Sequence, residues 1–317
     1  MARAVSISAH LQRPVTALTS RTVPQSHPFA EIIKLPRDDD ALVVSEPTAH
    51  GALHWAPHHD PGYSARMQAL ARWVADAQPE ACVVDVSVEV AMFLRLLGVP
   101  VIVVALPGER TDSAHVLVHR VADHILAAWP GALNSPHWLL PHAGKTSYVG
   151  GVSRFEGRTR PPKRHDSDEG RVLVLGGAGG GFGDQTTHLP DATWQVLGGE
   201  TGPWVEDPWR EICAADVVVS HAGQNSIADL AAAGRPAVVI PQPRPFGEQQ
   251  ATAEVLSRHG LAVTSAGWPS PEDWPQMLHR ARSIDTTQWG RWQVQGAAAR
   301  AADAIEATAA RCRMATS

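Results

Sequence analysis

A short polar turn, Ser220 to Gly223, carries the residues best suited to bind an anion. An apolar run of the buried-strand type, Val217 to Val219, comes before the turn, and a helical segment from Gln224 to Ala233 follows it. That helix begins with small polar side chains, Asn225 and Ser226. The first amides of a helix have no partner inside it, and the helix dipole favours negative charge there. The pattern therefore predicts an anion site where Gly223 lets the backbone approach a ligand closely.

Further polar residues accompany this strand–turn–helix unit. His221 is placed to donate a hydrogen bond to a phosphate oxygen, and Asp229 to accept one from a ribose hydroxyl. A second apolar strand, residues 237–240, leads to a proline-rich loop that ends in groups suited to sugar hydroxyls: Glu248, Gln249 and Gln250. Ligands of open α/β sheets bind at the carboxyl ends of strands, which is where both loops lie.

A second glycine-rich loop follows an earlier predicted strand, Val172 to Leu175. Backbone amides approach a diphosphate closely only where side chains are absent, so this loop predicts diphosphate contacts. It is not a P-loop, since no Gly-Lys-Ser/Thr follows, and no acidic residue ends the next strand as a dinucleotide fingerprint requires. A mobile loop without a ligand is the alternative. The glycines proposed as ligand contacts are Gly177, Gly179, Gly180 and Gly181.

The segment His221 to Asp229, HAGQNSIAD, resembles the donor-binding signature of GT-B nucleotide-sugar glycosyltransferases, H-x-G-x-N-S-x-x-E, with Asp229 in place of Glu. The following residues, DLAAAGRP and the pair Gln249-Gln250, resemble the bacterial family that adds N-acetylglucosamine to lipid I. The resemblance covers the C-terminal half of the chain well and the N-terminal half in outline. An ordinary strand–helix–strand unit with a chance polar turn is the alternative.

The resemblance implies a fold and a set of contacts. The fold would be GT-B, two Rossmann-like doubly wound parallel-sheet domains that face each other across a cleft. Trp204 and Val205 match a Phe-Ile pair that frames uracil in the family, with simple packing of Trp204 as the alternative. Asp229 would bind the ribose, and Glu248 with Gln249 and Gln250 would orient the sugar.

Composition limits the class of protein. A length of 317 residues suits two domains, and 44% hydrophobic with 19% charged residues is typical of a soluble globular chain. A net charge of −5 argues against nucleic-acid binding. No apolar run is long enough for an integral membrane segment. Three cysteines without metal-ligand spacing favour reduced thiols in the cytoplasm: Cys82, Cys213 and Cys312.

In the N-terminal half, a predicted strand, Ala81 to Val84, ends at Asp85, at the edge facing the cleft. The sequence assigns no catalytic residue, and Asp85 is a candidate base only if the first loop of this domain is truly absent from the protein. Helix capping is the alternative role for Asp85. The chain itself opens with a helical pattern, Met1 to Leu11, although a doubly wound domain should open with a strand and a glycine-rich turn. We therefore expect that the first strand and loop of this domain are missing from the sequence.

Histidines at positions 50, 54, 58 and 59 cluster in a loop rich in proline and aspartate. No cysteine or carboxylate spacing typical of a metal site accompanies them, so a solvated loop is predicted and no metal is expected. His115 and His119 share one helix face and are predicted to be packed or surface residues.

The predicted domains are an acceptor-side domain (1–149), a linker (150–170), a donor-binding domain (171–285) and a C-terminal helix that packs back on the first domain (286–317). The predicted function is transfer of a hexose or N-acetylhexosamine from a nucleotide-diphospho-sugar, with UDP as the expected nucleotide, to an acceptor hydroxyl. No cofactor is expected, because the nucleotide-sugar is a substrate. The acceptor is open among a lipid-linked sugar, a glycan and a small molecule, and a lipid acceptor would place the protein peripherally at a membrane. A nucleotide-sugar hydrolase or epimerase, or an inactive nucleotide-sugar-binding paralogue, remains the alternative.

Overall fold

A computed structural model describes residues 1–161, 170–177, 180–188 and 194–314. The chain forms two α/β domains, as predicted. The elements of the first are α1 (Ala2–Ser8), β1 (Thr16–Thr19), β2 (Glu31–Lys34), α2 (Pro61–Ala77), β3 (Cys82–Asp85), α3 (Val88–Leu96), β4 (Val101–Ala105), α4 (Ser113–Val121), β5 (His124–Ala127) and β6 (Thr146–Tyr148). Four of these strands form a parallel sheet of order β3-β4-β5-β6.

The first two strands form a separate sheet. β1 and β2 pair in parallel with Thr16 opposite Glu31, while β3 pairs with β4 and forms an edge of the larger sheet. β1 and β3 both line a cavity of about 2350 Å³, which continues to the start of the helix at Gln224.

The second domain is built around a parallel five-stranded sheet. Its elements are β7 (Val172–Leu175), β8 (Trp194–Leu197), α5 (Trp209–Ala214), β9 (Val217–Ser220), α6 (Gln224–Ala233), β10 (Ala237–Val239), α7 (Glu248–Arg258), β11 (Val263–Thr264) and α8 (Trp274–Arg282). The strand order is β11-β10-β9-β7-β8. The central strand residues Val217, Val218 and Val219 are completely buried, as expected for a parallel sheet covered by helices on both faces.

The C-terminal helix differs from the prediction. The sequence predicts one helix from Trp289 to Ala310, whereas the structure has a 3-10 helix, Thr286–Trp292, followed by α9 (Ala297–Met314). The break occurs because Gln293 and Gly296 adopt positive φ angles of 55° and 76°, which an α-helix does not permit. α9 contacts α1 and β5 of the first domain, so the chain returns to that domain as expected.

Hydrogen bonds join the first domain to the rest of the chain at several points. The amide of Gly151 donates to the carbonyl of Trp292 (3.0 Å), and the amide of Glu109 donates to the carbonyl of Phe246 (2.9 Å). Arg3 of α1 reaches Gln224, the first residue of α6. Among the described residues, none of the helices combines the length and apolar character needed to cross a membrane.

Candidate functional site

The start of α6 opens into the cavity. Its first internal hydrogen bond runs from the amide of Ile227 to the carbonyl of Gly223, so the preceding amides, of Gln224, Asn225 and Ser226, have no acceptor within the helix. No side chain in the described ranges caps this helix. By contrast, α2, α3 and α4 each begin with a side chain that accepts from the first turn. Gln224, Asn225 and Ser226 line the cavity, and anion binding by their amides stays a prediction.

The turn before α6 is fixed by Gln249. The side-chain carbonyl of this buried residue accepts hydrogen bonds from the amides of Ala222 and Gln242, both at 3.0 Å. One oxygen thus joins the β9–α6 turn to the proline-rich loop. The Nε2 atom of Gln249 faces Gly223, since it lies 4.0 Å from the point that a Cβ atom on this glycine would occupy. The prediction that Gln249 binds the sugar therefore concerns only this amide nitrogen.

His221 is buried and faces two carbonyl groups. Its Nδ1 lies 2.9 Å from the carbonyl oxygen of Ile240, and its Nε2 lies 3.1 Å from that of Gly181. Burial lowers the pKa of His221, while the two carbonyls act in the opposite direction. A neutral ring has one N–H and satisfies one carbonyl only, whereas a nearby anion would favour the doubly protonated ring. His221 thus links the α6 turn to the glycine-rich loop.

The described amides of the glycine-rich loop donate within the protein. Gly177 and Gly180 exchange hydrogen bonds of 3.1 Å, and the amide of Gly181 donates to the Glu200 carboxylate at 3.0 Å. Gly180 has a φ of 109°, which requires glycine. Backbone amides, including that of Gly181, lower the pKa of Glu200, so this loop already holds one carboxylate. Diphosphate binding by these glycines stays a prediction, and Gly179 lies outside the described residues.

Asp229 connects α6 to the chain between the domains. It is 7% exposed; its carboxylate accepts from the hydroxyl of Ser153 (2.7 Å) and from Nε of Arg154 (3.2 Å). Burial raises the pKa of Asp229, and Arg154 opposes that shift. Arg154 also donates to the carbonyl of Glu206 (2.9 Å). A ribose hydroxyl would therefore have to share the Asp229 carboxylate with these two donors.

Of the remaining predicted donor residues, Trp204, Val205 and Glu248 line the same cavity, whereas Gln250 is not among its lining residues. Trp204, 65% exposed, and Val205 line its wall. Glu248 also lines it and lies 3.9 Å from Arg110; burial raises the pKa of Glu248, and Arg110 opposes the shift. Gln250 donates weakly to the carbonyl of Gln242 at 3.4 Å, and its buried Oε1 has no partner among the described residues.

Asp85 lies at the cavity as predicted, but it is paired with a cation. Its carboxylate accepts from the Arg3 guanidinium at 2.5 Å. The helix-capping alternative is excluded for this residue, because Ser87 caps α3 by accepting from Val90.

Sequence reasoning missed Arg3, Ser153 and Arg154. For the latter two, the available signal was the polar pair between the glycines at 150–151 and 157, directly after the first domain. Arg3 gave no local signal, since a single arginine in a helical pattern is most often solvated.

A histidine cluster lies beside the cavity, at the domain boundary. The Asp112 carboxylate contacts His54 Nε2 (2.8 Å) and His115 Nδ1 (2.5 Å), and the rings of both histidines pack against Phe246. These three polar groups are close enough to share a metal ion, which the local sequence spacing did not indicate. However, Arg110 Nη1 lies 3.4 Å from His115 Nε2. This contact favours a ring whose proton is on Nδ1, and so favours hydrogen bonding to Asp112 over a metal ion.

The buried His119 is expected to make the folded protein less stable in acid. It is 4% exposed and stacks on Trp138, and burial, with His115 and His142 nearby, lowers its pKa to about 3. The folded state then binds fewer protons than the unfolded state below pH 6.5, so stability is lost as the pH falls from 6.5 towards 3. We expect His119 to cost about 2 kcal/mol of unfolding free energy at pH 5 relative to pH 7.

Urea unfolding at both pH values measures this loss in the wild type and in a His119→Phe variant, which keeps the stacking and removes the titration. An equal loss in both proteins would show that His119 is not responsible. Arg110 also lowers the pKa of His119 and Asp112 raises it. Both residues are present in the wild type and in the variant.

Comparisons with known proteins show which families the sequence resembles. Residues 207–266 match the glycosyltransferase family 28 C-terminal domain. The UDP-N-acetylglucosamine–N-acetylmuramyl-(pentapeptide) pyrophosphoryl-undecaprenol N-acetylglucosamine transferase of Rubrobacter xylanophilus is 30% identical over an alignment of 199 residues that covers 53% of this chain and 56% of that protein. The protein of the same name from Sorangium cellulosum is 27% identical over 289 residues, 73% of this chain and 69% of that protein.

Solved structures show the same fold. The chain resembles Acinetobacter baumannii MurG with a TM-score of 0.59 and 19% identity, over 96% of this chain and 95% of that chain. It resembles CalG4, the calicheamicin glycosyltransferase, with a TM-score of 0.61 and 17% identity, over 98% and 94%. The chain therefore has the GT-B fold, as predicted. The family match and the relatives support a glycosyltransferase.

Proposed function

We propose that this chain transfers a hexose or N-acetylhexosamine from a UDP-linked donor to an acceptor hydroxyl. The observation that carries the proposal is the uncapped start of α6, where the amides of Gln224, Asn225 and Ser226 open into the cavity beside both domains. The curated relatives carry names that specify UDP-N-acetylglucosamine and a pyrophosphoryl-undecaprenol acceptor. We take UDP-N-acetylglucosamine as the first donor to test and a lipid-linked sugar as the first acceptor.

In the proposed reaction, the bond between the sugar C1 and the diphosphate oxygen breaks, and its electron pair goes to the diphosphate. The acceptor oxygen bonds to C1 and loses its proton to a base. Negative charge grows on the leaving diphosphate, and amides already aimed at that position stabilise it without reorganisation. The α6 start performs this role in our proposal, together with His221, Gly223 and the glycine-rich loop.

The other contacts position the donor. Trp204 and Val205 would frame the base, since an exposed aromatic side chain at a cavity wall offers a stacking surface. Asp229 would bind the ribose while it remains held by Ser153 and Arg154. Glu248, with the amide groups of Gln249 and Gln250, would bind the sugar hydroxyls. Asp85 remains the candidate base, in a site where Arg3 would first have to release it.

A thermal-shift screen with UDP, GDP and dTDP tests the proposal. We expect UDP to raise the melting temperature, because a ligand at one hundred times its Kd adds about 2.7 kcal/mol to the unfolding free energy. GDP and dTDP should have smaller effects at equal concentration. If none of the three nucleotides stabilises the protein, the donor assignment is wrong.

A turnover assay with UDP-N-acetylglucosamine separates the alternatives on the same fold. We expect UDP release to depend on an added acceptor, with undecaprenyl-pyrophosphoryl-N-acetylmuramyl pentapeptide as the first one tried. Rapid release of UDP and free sugar without an acceptor would instead indicate a hydrolase. Binding of UDP with no turnover for any acceptor would indicate a binding protein.

A further inference from the structure

Arg3 is a buried cation at the junction of the two domains. It is 9% exposed, and it donates from Nη1 to the side-chain oxygen of Gln224 (2.7 Å) and from Nη2 to Asp85 (2.5 Å). Its Nε is buried and has no hydrogen-bond partner among the described residues. A guanidinium with an unsatisfied buried donor is costly unless a further acceptor arrives.

The position of Arg3 matters because Gln224 begins α6. The guanidinium bonds to the side chain of the residue that supplies the first open amide of this helix. Arg3 also lines the same cavity as Asn225 and Ser226. The structure thus combines three neutral donors and one formal positive charge at one end of the cavity, where a diphosphate would carry two or more negative charges.

We propose that Arg3 binds the diphosphate of the donor and supplies positive charge to it as the sugar departs. This inference rests on the proposed function and names a contact that the donor signature does not include. In the structure, Gln224 and Asp85 hold the guanidinium in place. When the donor binds, a phosphate oxygen accepts from the unpaired Nε and from one Nη atom, and Asp85 loses one of its hydrogen bonds from Arg3. Arginine suits this exchange, since its planar fork matches a phosphate with two parallel donors.

Isothermal titration of wild type and Arg3 variants with UDP and with uridine tests the contact. Charge-assisted hydrogen bonds contribute about 1.5–3 kcal/mol, so we expect Arg3→Met to weaken UDP binding about tenfold or more. Uridine lacks phosphate, and its Kd should change less than about twofold, which is well below the tenfold that 1.4 kcal/mol represents. Arg3→Lys keeps the charge without the fork and should give an intermediate Kd for UDP.

Two controls separate a ligand contact from a structural role. Asp85→Asn breaks the ion pair but keeps Arg3, so UDP should bind as well as in the wild type or more tightly. Arg72→Met removes an exposed arginine of α2 that does not line the cavity and donates to the carbonyl of Gln68 at 3.4 Å; it should leave the UDP affinity unchanged.

The outcomes are distinct. If Arg3→Met binds UDP like the wild type, the inference is wrong while the proposed function stands. If Arg3→Met and Asp85→Asn weaken UDP and uridine equally, Arg3 only holds the domains together and the inference is also wrong. If the wild type itself does not bind UDP, the donor assignment fails and the inference fails with it.

Discussion

A Ser226→Asp variant is expected to lose nucleotide binding while keeping its fold. Ser226 lies in the first turn of α6, where its amide opens into the cavity. A carboxylate in the first turn of a helix interacts favourably with the helix dipole and the open amides, by about 0.3–1 kcal/mol. The new side chain would therefore stabilise the helix through the very donors that we assign to the diphosphate.

The loss of affinity should be large because two effects add. The aspartate occupies one or more amide donors, and it repels the diphosphate at short range in a partly buried site. We expect the Kd for UDP to rise about one hundredfold, equivalent to about 2.7 kcal/mol. Calorimetric titration measures this change, and the melting temperature without ligand should be equal to or above that of the wild type.

Ser226→Asn is the matched control, since it has nearly the same size as aspartate and no charge. It should bind UDP within about threefold of the wild type, a difference below 1 kcal/mol. If Ser226→Asp binds UDP normally, the start of α6 does not hold the diphosphate, and the central observation behind the proposed function would have another explanation.

The elements around this site could be predicted from the sequence because their signals are local. The α6 bounds, Gln224–Ala233, agree with the prediction, since Gly234 ends the helix in the left-handed region (φ 58°) and Pro236 follows. The valines of β9 predict a strand buried on both faces, and they are completely buried. The predicted C-terminal helix is too long because alanine and tryptophan continue the apolar pattern across the break at Gln293.

The partners of the site residues could not be predicted in the same way. Asp229 bonds to residues 75 and 76 positions earlier in the chain, and Arg3 reaches a residue 221 positions later. Such contacts depend on how the two domains meet, which hydrophobic periodicity does not encode. For the same reason, the carboxylate beside His54 comes from Asp112, far from the histidine-rich loop, where local spacing gives no metal-ligand pattern.

Gln249 is predicted to bind the sugar, but in the structure its side-chain oxygen accepts hydrogen bonds from two backbone amides. In a Gln249→Leu variant, the amides of Ala222 and Gln242 would lose their shared acceptor. An unsatisfied buried donor costs about 1–3 kcal/mol, and leucine leaves little room for a replacing water molecule. We therefore expect a loss of about 4 kcal/mol of unfolding free energy, measured by urea denaturation with tryptophan fluorescence.

Gln249→Glu separates the two roles of this side chain. A carboxylate oxygen still accepts from both amides, so this variant should lose less unfolding free energy than the leucine variant, with the burial of a charge as its main cost. Its negative charge would replace the Nε2 group that faces Gly223, and should weaken UDP binding about tenfold through repulsion beside the α6 start.

If the leucine variant unfolds at the same urea concentration as the wild type, the amides have found other acceptors and the turn does not depend on Gln249. Equal UDP affinity in the wild type and the glutamate variant would instead place the diphosphate away from this turn, because a charge so close to the open amides could not be without effect.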